Sequence, residues 1–129
     1  MSKRNVLVAG CTGYIGLQLV KLLLNHKKIN IKYLCGSSSI GKKISYFDKS
    51  LKKKLPKISK FNKSMLKSVD IIFTALPNRQ SQKISKYLFD KNTLIDLSAD
   101  FRVSKKSYYK WYKKKHLANK NIKKSIYSL

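Results

Sequence analysis

The stretch Asn5-Val6-Leu7-Val8-Ala9-Gly10-Cys11-Thr12-Gly13-Tyr14-Ile15-Gly16 decides the fold. Asn5 to Ala9 is a short apolar run closed by a glycine turn, the pattern of a strand buried on both faces in a parallel sheet. From Tyr14 to Asn25, the residues Ile15, Leu17, Leu19, Val20, Leu22, Leu23 and Leu24 cover a broad face, which predicts a helix. Lys21 and Lys27-Lys28 fall at or just beyond its C-terminal end, where cations favour the helix dipole. Ile29 to Cys35 reads as the next strand, ending in Gly36-Ser37-Ser38-Ser39. Strand, glycine turn, helix and strand in this order make a βαβ unit.

Farther along, the pattern alternates again. Ile40 to Ser64, with lysine clusters, Pro56 and scattered aromatics, predicts loops and one short strand near Ile58 to Phe61. Met65 to Val69 closes a short helix. Asp70-Ile71-Ile72-Phe73-Thr74-Ala75-Leu76 is the strongest strand signal and stops at Pro77. Gln80 to Phe89 predicts a helix with Ile84, Tyr87 and Leu88 on one face, and Thr93 to Leu97 a strand. Ser107 to Lys115 predicts a helix, and Ile126 to Leu129 opens a further element. No internal repeat is visible. Alternating strands and helices argue for an α/β fold, a doubly wound parallel sheet.

Composition bounds the function. The chain has 129 residues, 30 Lys or Arg against 5 Asp or Glu, and a formal net charge of +25. With 43% apolar residues a packed core is within reach, so the charge does not imply a disordered chain. No apolar run is long enough to span a bilayer, and the short N-terminal run breaks at Gly10, unlike a signal peptide. Two cysteines make no disulfide framework, which points to the cytoplasm. A charge of this size would attract any polyanion, nucleic acid included. Yet only Arg4, Arg79 and Arg102 are arginines, the residue whose planar fork reads guanine, and the lysines are spread along the whole chain. Drift of solvent-facing positions towards lysine accounts for that distribution better than a nucleic-acid surface.

The glycine turn carries the chemistry. After a buried strand, Gly10 permits a sharp turn, Gly13 admits a pyrophosphate where a Cβ would stand, and Gly16 allows the helix to pack close. The open amides and positive end of the helix would then hold the phosphates. The spacing G-x-x-G-x-x-G has one residue more than the commonest fingerprint, and glycines also mark ordinary tight turns; the position between strand and helix favours a dinucleotide. An NAD site places an acid near the end of the second strand, but no acid precedes Asp48. Ser37 to Ser39, with Lys42 and Lys43, suit a 2′-phosphate and point to NADP; the alternative is a polar surface loop.

Other candidates carry less. Cys11 and Cys35 have no histidine nearby to lower a thiol pKa, so both read as buried structural cysteines. His26 and His116 lie among lysines, and no cluster has metal-ligand spacing, so no metal is expected. Asp96 and Asp100 straddle a strand end and do not make an acid/base pair. Tyr108, Tyr109, Trp111 and Tyr112 among lysines could stack on bases, although a helix packing its aromatics inward explains them more simply.

Three segments together resemble one family. Val6 to Gly16, Asp70 to Pro77 and Ile95-Asp96-Leu97-Ser98-Ala99-Asp100-Phe101-Arg102 are similar to N-acetyl-gamma-glutamyl-phosphate reductase, and Tyr109, Trp111-Tyr112, His116 and Ser125-Ile126-Tyr127 follow in that family's order. Aspartate-semialdehyde dehydrogenase, a related possibility, shares the glycine turn but not the Leu-Ser-Ala-Asp-Phe-Arg block. The resemblance implies a Rossmann-like fold and NADPH-dependent reduction of an N-acetylglutamyl acyl phosphate to the semialdehyde, a step of arginine biosynthesis. In such enzymes a cysteine thiolate forms a thioester, and a histidine assists.

Carried onto this sequence, the resemblance places Gly10, Thr12, Gly13, Tyr14, Ile15 and Gly16 at the pyrophosphate. Ser37 and Ser39 would face the adenosine phosphate, and Ala75, Leu76 and Pro77 the ribose and nicotinamide. Ser98 and Arg102 would lie on the substrate side, Arg102 able to pair with the acyl phosphate. Asn78-Arg79 stands where the family usually has His-Gly. The family's catalytic cysteine and histidine fall after Leu129, as does its substrate and dimerisation domain, through which the family forms homo-oligomers. Residues 1–129 are therefore expected to be the N-terminal nucleotide-binding domain only, incomplete and inactive alone.

Overall fold

The computed structural model describes residues 3–51, 54–77 and 79–97. Its first strand, β1 (Arg4–Ala9), runs into helix α1 (Tyr14–Leu24) and then into β2 (Ile29–Cys35). A 3-10 turn at Ile44–Tyr46 precedes the short β3 (Ile58–Ser59), and a second one spans Lys63–Ser68. Then come β4 (Ile71–Thr74), a short helix α2 (Gln80–Ser85) and β5 (Thr93–Asp96). The five strands form one sheet in the order β3-β2-β1-β4-β5, every pairing parallel. The chain builds outward from β1 on one side, then crosses to build outward on the other. The strand order therefore reverses beside β1, the place where open α/β sheets bind ligands.

β1 is central, and Val6, Leu7, Val8 and Ala9 are all buried. Alternate residues point to opposite faces. Val6 and Val8 pack with Val20 and Leu23 of α1 and with Ile31, Leu34, Ile44, Leu51 and Ile58. Leu7 and Ala9 pack on the other face with Leu66, Val69, Ile72 and Ile84. Both faces of the sheet are thus covered, as the doubly wound pattern in the sequence predicts. Fully burying each Val or Leu contributes about 1.5–3 kcal/mol.

Two helices differ from the sequence expectation. The helix predicted over Gln80 to Phe89 ends at Ser85. Beyond it Tyr87 N–H donates to Ile84 O at 3.0 Å and Leu88 N–H to Ser85 O at 3.4 Å, tighter turns than an α-helix makes. Asn92 then draws the chain away: its Oδ1 accepts from Phe89 N–H at 2.8 Å, and its amide donates to Leu66 O and Val69 O at 3.0 and 2.9 Å. Tyr87, expected on one face with Ile84 and Leu88, is 50% exposed, whereas Ile84 is buried. The short helix predicted at Met65 to Val69 is the 3-10 turn Lys63–Ser68, started by Asn62, whose Oδ1 accepts from Ser64 N–H at 2.9 Å. Lys21 does more than face a helix dipole: its Nζ meets Asp48 Oδ2 at 2.7 Å and ties the segment after β2 to α1. The helix predicted at Ser107 to Lys115 and the element opening at Ile126 lie outside the described residues.

Candidate nucleotide-binding site

The site grows from the end of β1. Gly10 takes φ +81, a left-handed conformation that glycine adopts without penalty. A Cβ there would lie 2.8 Å from the carbonyl carbon of Ala75. At Gly16 a Cβ would lie 2.9 Å from both the Cα of Cys11 and the carbonyl carbon of Gly10. Gly13 differs from both: its nearest neighbour would be Gly10 O at 3.7 Å. Its φ of −73° and ψ of 166° suit any residue. Gly10 and Gly16 are therefore required by the fold, whereas Gly13 is exposed and a Cβ there would make only ordinary contact.

Hydrogen bonds fix the turn. Gly10 N–H and Cys11 N–H both donate to Cys35 O, at 2.9 and 3.3 Å, joining the ends of β1 and β2. Leu17 N–H donates to Gly13 O at 2.9 Å, starting α1. Gly13 is the N-cap and no side chain caps the helix. The first amides of a helix have no intrahelical partner and stand at its positive end. An uncapped helix start beside an open glycine is a place for an anion. Tyr14 and Ile15 are exposed here, at 81% and 55%, and Thr12 is half-buried.

The end of β4 forms the adjoining wall. Ala75 N–H donates to Ala9 O and Leu97 N–H to Thr74 O, both at 2.9 Å. Ala75 and Leu76 are half-buried, Leu76 packing on the core beneath, and Pro77 is exposed. Below them lies a polar group that the sequence motifs do not announce. The fully buried Thr74 hydroxyl donates to Asp96 Oδ1 at 2.8 Å, and the buried Ser81 hydroxyl lies 3.2 Å from it. The sequence signal for it is slight: one threonine inside an otherwise apolar strand.

At the end of β2, Ser37 and Ser38 are exposed, whereas Ser39 is buried and its carbonyl accepts from Lys42 N–H at 3.2 Å. The structure thus brings the glycine turn, Ser37 and Ala75 to Pro77 to one end of the sheet. Ser98 and Arg102 lie outside the described residues.

The two thiols take no part in this surface. Cys11 and Cys35 are buried. Burial pushes Cys11 up to about 12, with the neighbouring Cys35 adding to it, and burial pushes Cys35 up to about 11. Cys35 Sγ donates to Met65 Sδ at 3.8 Å. Thiols held this firmly neutral are structural, as the sequence expectation has it. Among the described residues, no group of three His, Cys, Asp or Glu could hold a metal, and no helix is long and apolar enough to cross a membrane.

A reversal of strand order beside β1, a glycine turn and an uncapped helix start define a Rossmann-like α/β domain. Comparison with known proteins carries this further. The chain belongs to the semialdehyde dehydrogenase, NAD-binding domain family, which it matches over residues 5–122. It is 46% identical over 112 residues to the N-acetyl-gamma-glutamyl-phosphate reductase of Ehrlichia ruminantium (strain Gardel), covering 84% of this chain and 32% of that one. With the reductase of Brachyspira hyodysenteriae it shares 38% identity over 126 residues, covering 96% and 36%. The chain thus spans about a third of the length of the curated relatives it matches. Among solved structures, the aspartate semialdehyde dehydrogenase with NADP from Candida albicans superimposes with a TM-score of 0.63 at 22% identity, covering 81% of this chain and 32% of that one. That likeness establishes the fold. The sequence kinship favours the N-acetyl-gamma-glutamyl-phosphate reductases over the aspartate-semialdehyde type.

Proposed function

We propose that this chain is the nucleotide-binding part of an NADPH-dependent acyl-phosphate reductase, one that converts N-acetyl-gamma-glutamyl phosphate to N-acetylglutamate semialdehyde in arginine biosynthesis. The reading combines the kinship with the reductases and one structural observation. Of the three glycines in the turn, Gly13 alone is not required by the protein's own packing. Its exposure and the uncapped start of α1 fit a diphosphate bridge, which main-chain amides would hold.

In this reading Gly10, Thr12, Gly13, Tyr14, Ile15 and Gly16 line the pyrophosphate, Ser37 serves the adenosine side, and the buried Ser39 holds the turn beside it. Ala75, Leu76 and Pro77 form the wall along the ribose and nicotinamide. The bound cofactor would supply the hydride; the residues of this chain bind it and hold its direction. Ser98 and Arg102 would serve the substrate, Arg102 as a charged partner for its phosphate. Neither Cys11 nor Cys35 is the nucleophile, because both thiols are buried and held neutral. Covalent capture of the acyl carbon therefore falls to neither of these thiols. In this reading the whole enzyme is a cytoplasmic homo-oligomer.

Titration of the chain with NADPH and with a short oligonucleotide at about 0.15 M salt tests the reading. Saturable NADPH binding that is lost in Gly13→Asp is the expected result. Oligonucleotide binding with a steep salt dependence and no response to NADPH would replace the reading with that of a polyanion-binding protein.

A further inference from the structure

We propose that Thr74 is a positioning residue for the nicotinamide half of the cofactor, because its hydroxyl joins the two ends of the loop that carries Ala75, Leu76 and Pro77; this rests on the nucleotide-binding reading above. Residues 75–79 link β4, which ends at Thr74, to α2, which begins at Gln80. Ser81 lies in the first turn of α2, and its buried hydroxyl stands 3.2 Å from that of Thr74. The contact closes the base of the loop, so a shift of Ser81 relative to Thr74 displaces the wall between them.

The sense of the bonds follows from their chemistry. A carboxylate only accepts, and a hydroxyl has one proton to give. The Thr74 proton goes to Asp96 Oδ1 at 2.8 Å, so the Ser81 hydroxyl donates to Thr74 Oγ1. A chain that runs from Ser81 through Thr74 to a charged oxygen is polarised in one direction, and each bond strengthens the next. The start of the loop is held from both sides as well. Leu97 N–H donates to Thr74 O on the β5 side, and Ala75 N–H donates to Ala9 O on the β1 side, both at 2.9 Å. The Ala75 carbonyl carbon lies so close to the glycine turn that a Cβ at Gly10 would stand 2.8 Å from it. The hydroxyl of Thr74 carries this fixed position across to α2.

Packing alone does not require the group. Thr74 follows Ile72 by two residues, on the face that Leu66, Val69 and Ile84 cover. Three of the four buried residues of α2 are polar, Ser81, Gln82 and Ser85, and Ile84 is its one apolar anchor. A helix of six residues is marginal by itself, so its seat on the sheet must come from such contacts. Apolar burial has no direction, and replacing a bonded pair by apolar side chains of the same shape costs little. Hydrogen bonds fix distance and angle, the property a ligand-binding wall needs.

Calorimetric titration of the full chain with NADPH and with 2′,5′-ADP, which carries the adenosine side and no nicotinamide, decides the matter. Thr74→Val and Ser81→Ala should each weaken NADPH about three- to tenfold, the equivalent of one hydrogen bond, and leave 2′,5′-ADP unchanged. Thr74→Ser keeps the hydroxyl and should bind NADPH as wild type does. A purely structural role would move the urea midpoint and leave the ratio of the two affinities alone. Unchanged NADPH binding in either Thr74→Val or Ser81→Ala, an equal loss of both ligands, or a loss that persists in Thr74→Ser overturns the assignment while leaving nucleotide binding standing. A wild-type chain that binds neither ligand overturns both.

Discussion

The hydroxyl of Thr74 donates to the carboxylate of Asp96 across 2.8 Å, joining the ends of β4 and β5 directly beneath the wall formed by Ala75 to Pro77. The same hydroxyl lies 3.2 Å from that of Ser81 in the first turn of α2, so one buried atom ties three elements together. Thr74→Val keeps the shape and removes the bond to the half-buried Asp96. A loss of about 0.5–3 kcal/mol follows, the range from a neutral to a charged hydrogen bond. Urea unfolding of the variant measures it. A midpoint equal to wild type would show that the bond contributes nothing.

That bond also marks where sequence reading stops. The strands and α1 are legible because each is a local pattern: an apolar run for β1, a broad apolar face for α1, and a glycine turn between them. Thr74 and Asp96 are 22 residues apart and meet only because β4 and β5 pair in register. No local pattern announces such a contact. The early end of α2 has the same origin, since Asn92 reaches back to Leu66 and Val69 across the fold. Ser39 looks like its neighbours Ser37 and Ser38 in sequence, but the turn that returns the chain to β3 buries it.

Acid should act on the tie between α1 and the segment after β2. The Lys21 ammonium, bonded to the Asp48 carboxylate, holds it at about 2, below its ordinary 3.8, and Ser50 adds to the effect. A carboxyl lowered on folding stabilises the native state above its unfolded pKa, and the gain disappears as pH falls through the folded value. Stability of wild type relative to Asp48→Asn should therefore be constant above about pH 5 and shrink to nothing near pH 2. Thermal melts of both proteins across this range give the difference, and parallel curves down to pH 2 would contradict it.

The thiols should respond at the other end of the scale. Burial raises Cys11 to about 12 and Cys35 to about 11, so the folded state keeps both protonated where the unfolded chain ionises. The stability this gives is present below about pH 8.5 and is lost as pH rises towards those values. At pH 8 a thiol reagent such as DTNB should find neither cysteine in the native protein within minutes and both in urea. Rapid native labelling of either would mean that the site beneath the glycine turn opens readily.

The glycines of the turn should separate fold from function. Gly16→Ala places a methyl against the backbone of Gly10 and Cys11, which flexible side chains cannot relieve. Overpacking of this kind costs about 1–3 kcal/mol, and nucleotide binding should fall with the folded fraction. Gly13→Asp makes only ordinary contact, in a backbone conformation any residue adopts. Asp is also a better N-cap than Gly and its charge suits the helix start, so stability should hold or rise by about 0.5 kcal/mol. The same carboxylate would occupy the position proposed for the diphosphate and repel it. Urea midpoints and NADPH titrations of the two variants should therefore move in opposite patterns: Gly16→Ala loses stability first, and Gly13→Asp loses the nucleotide alone. A Gly13→Asp protein that still binds NADPH as wild type does would remove the glycine turn from the binding site.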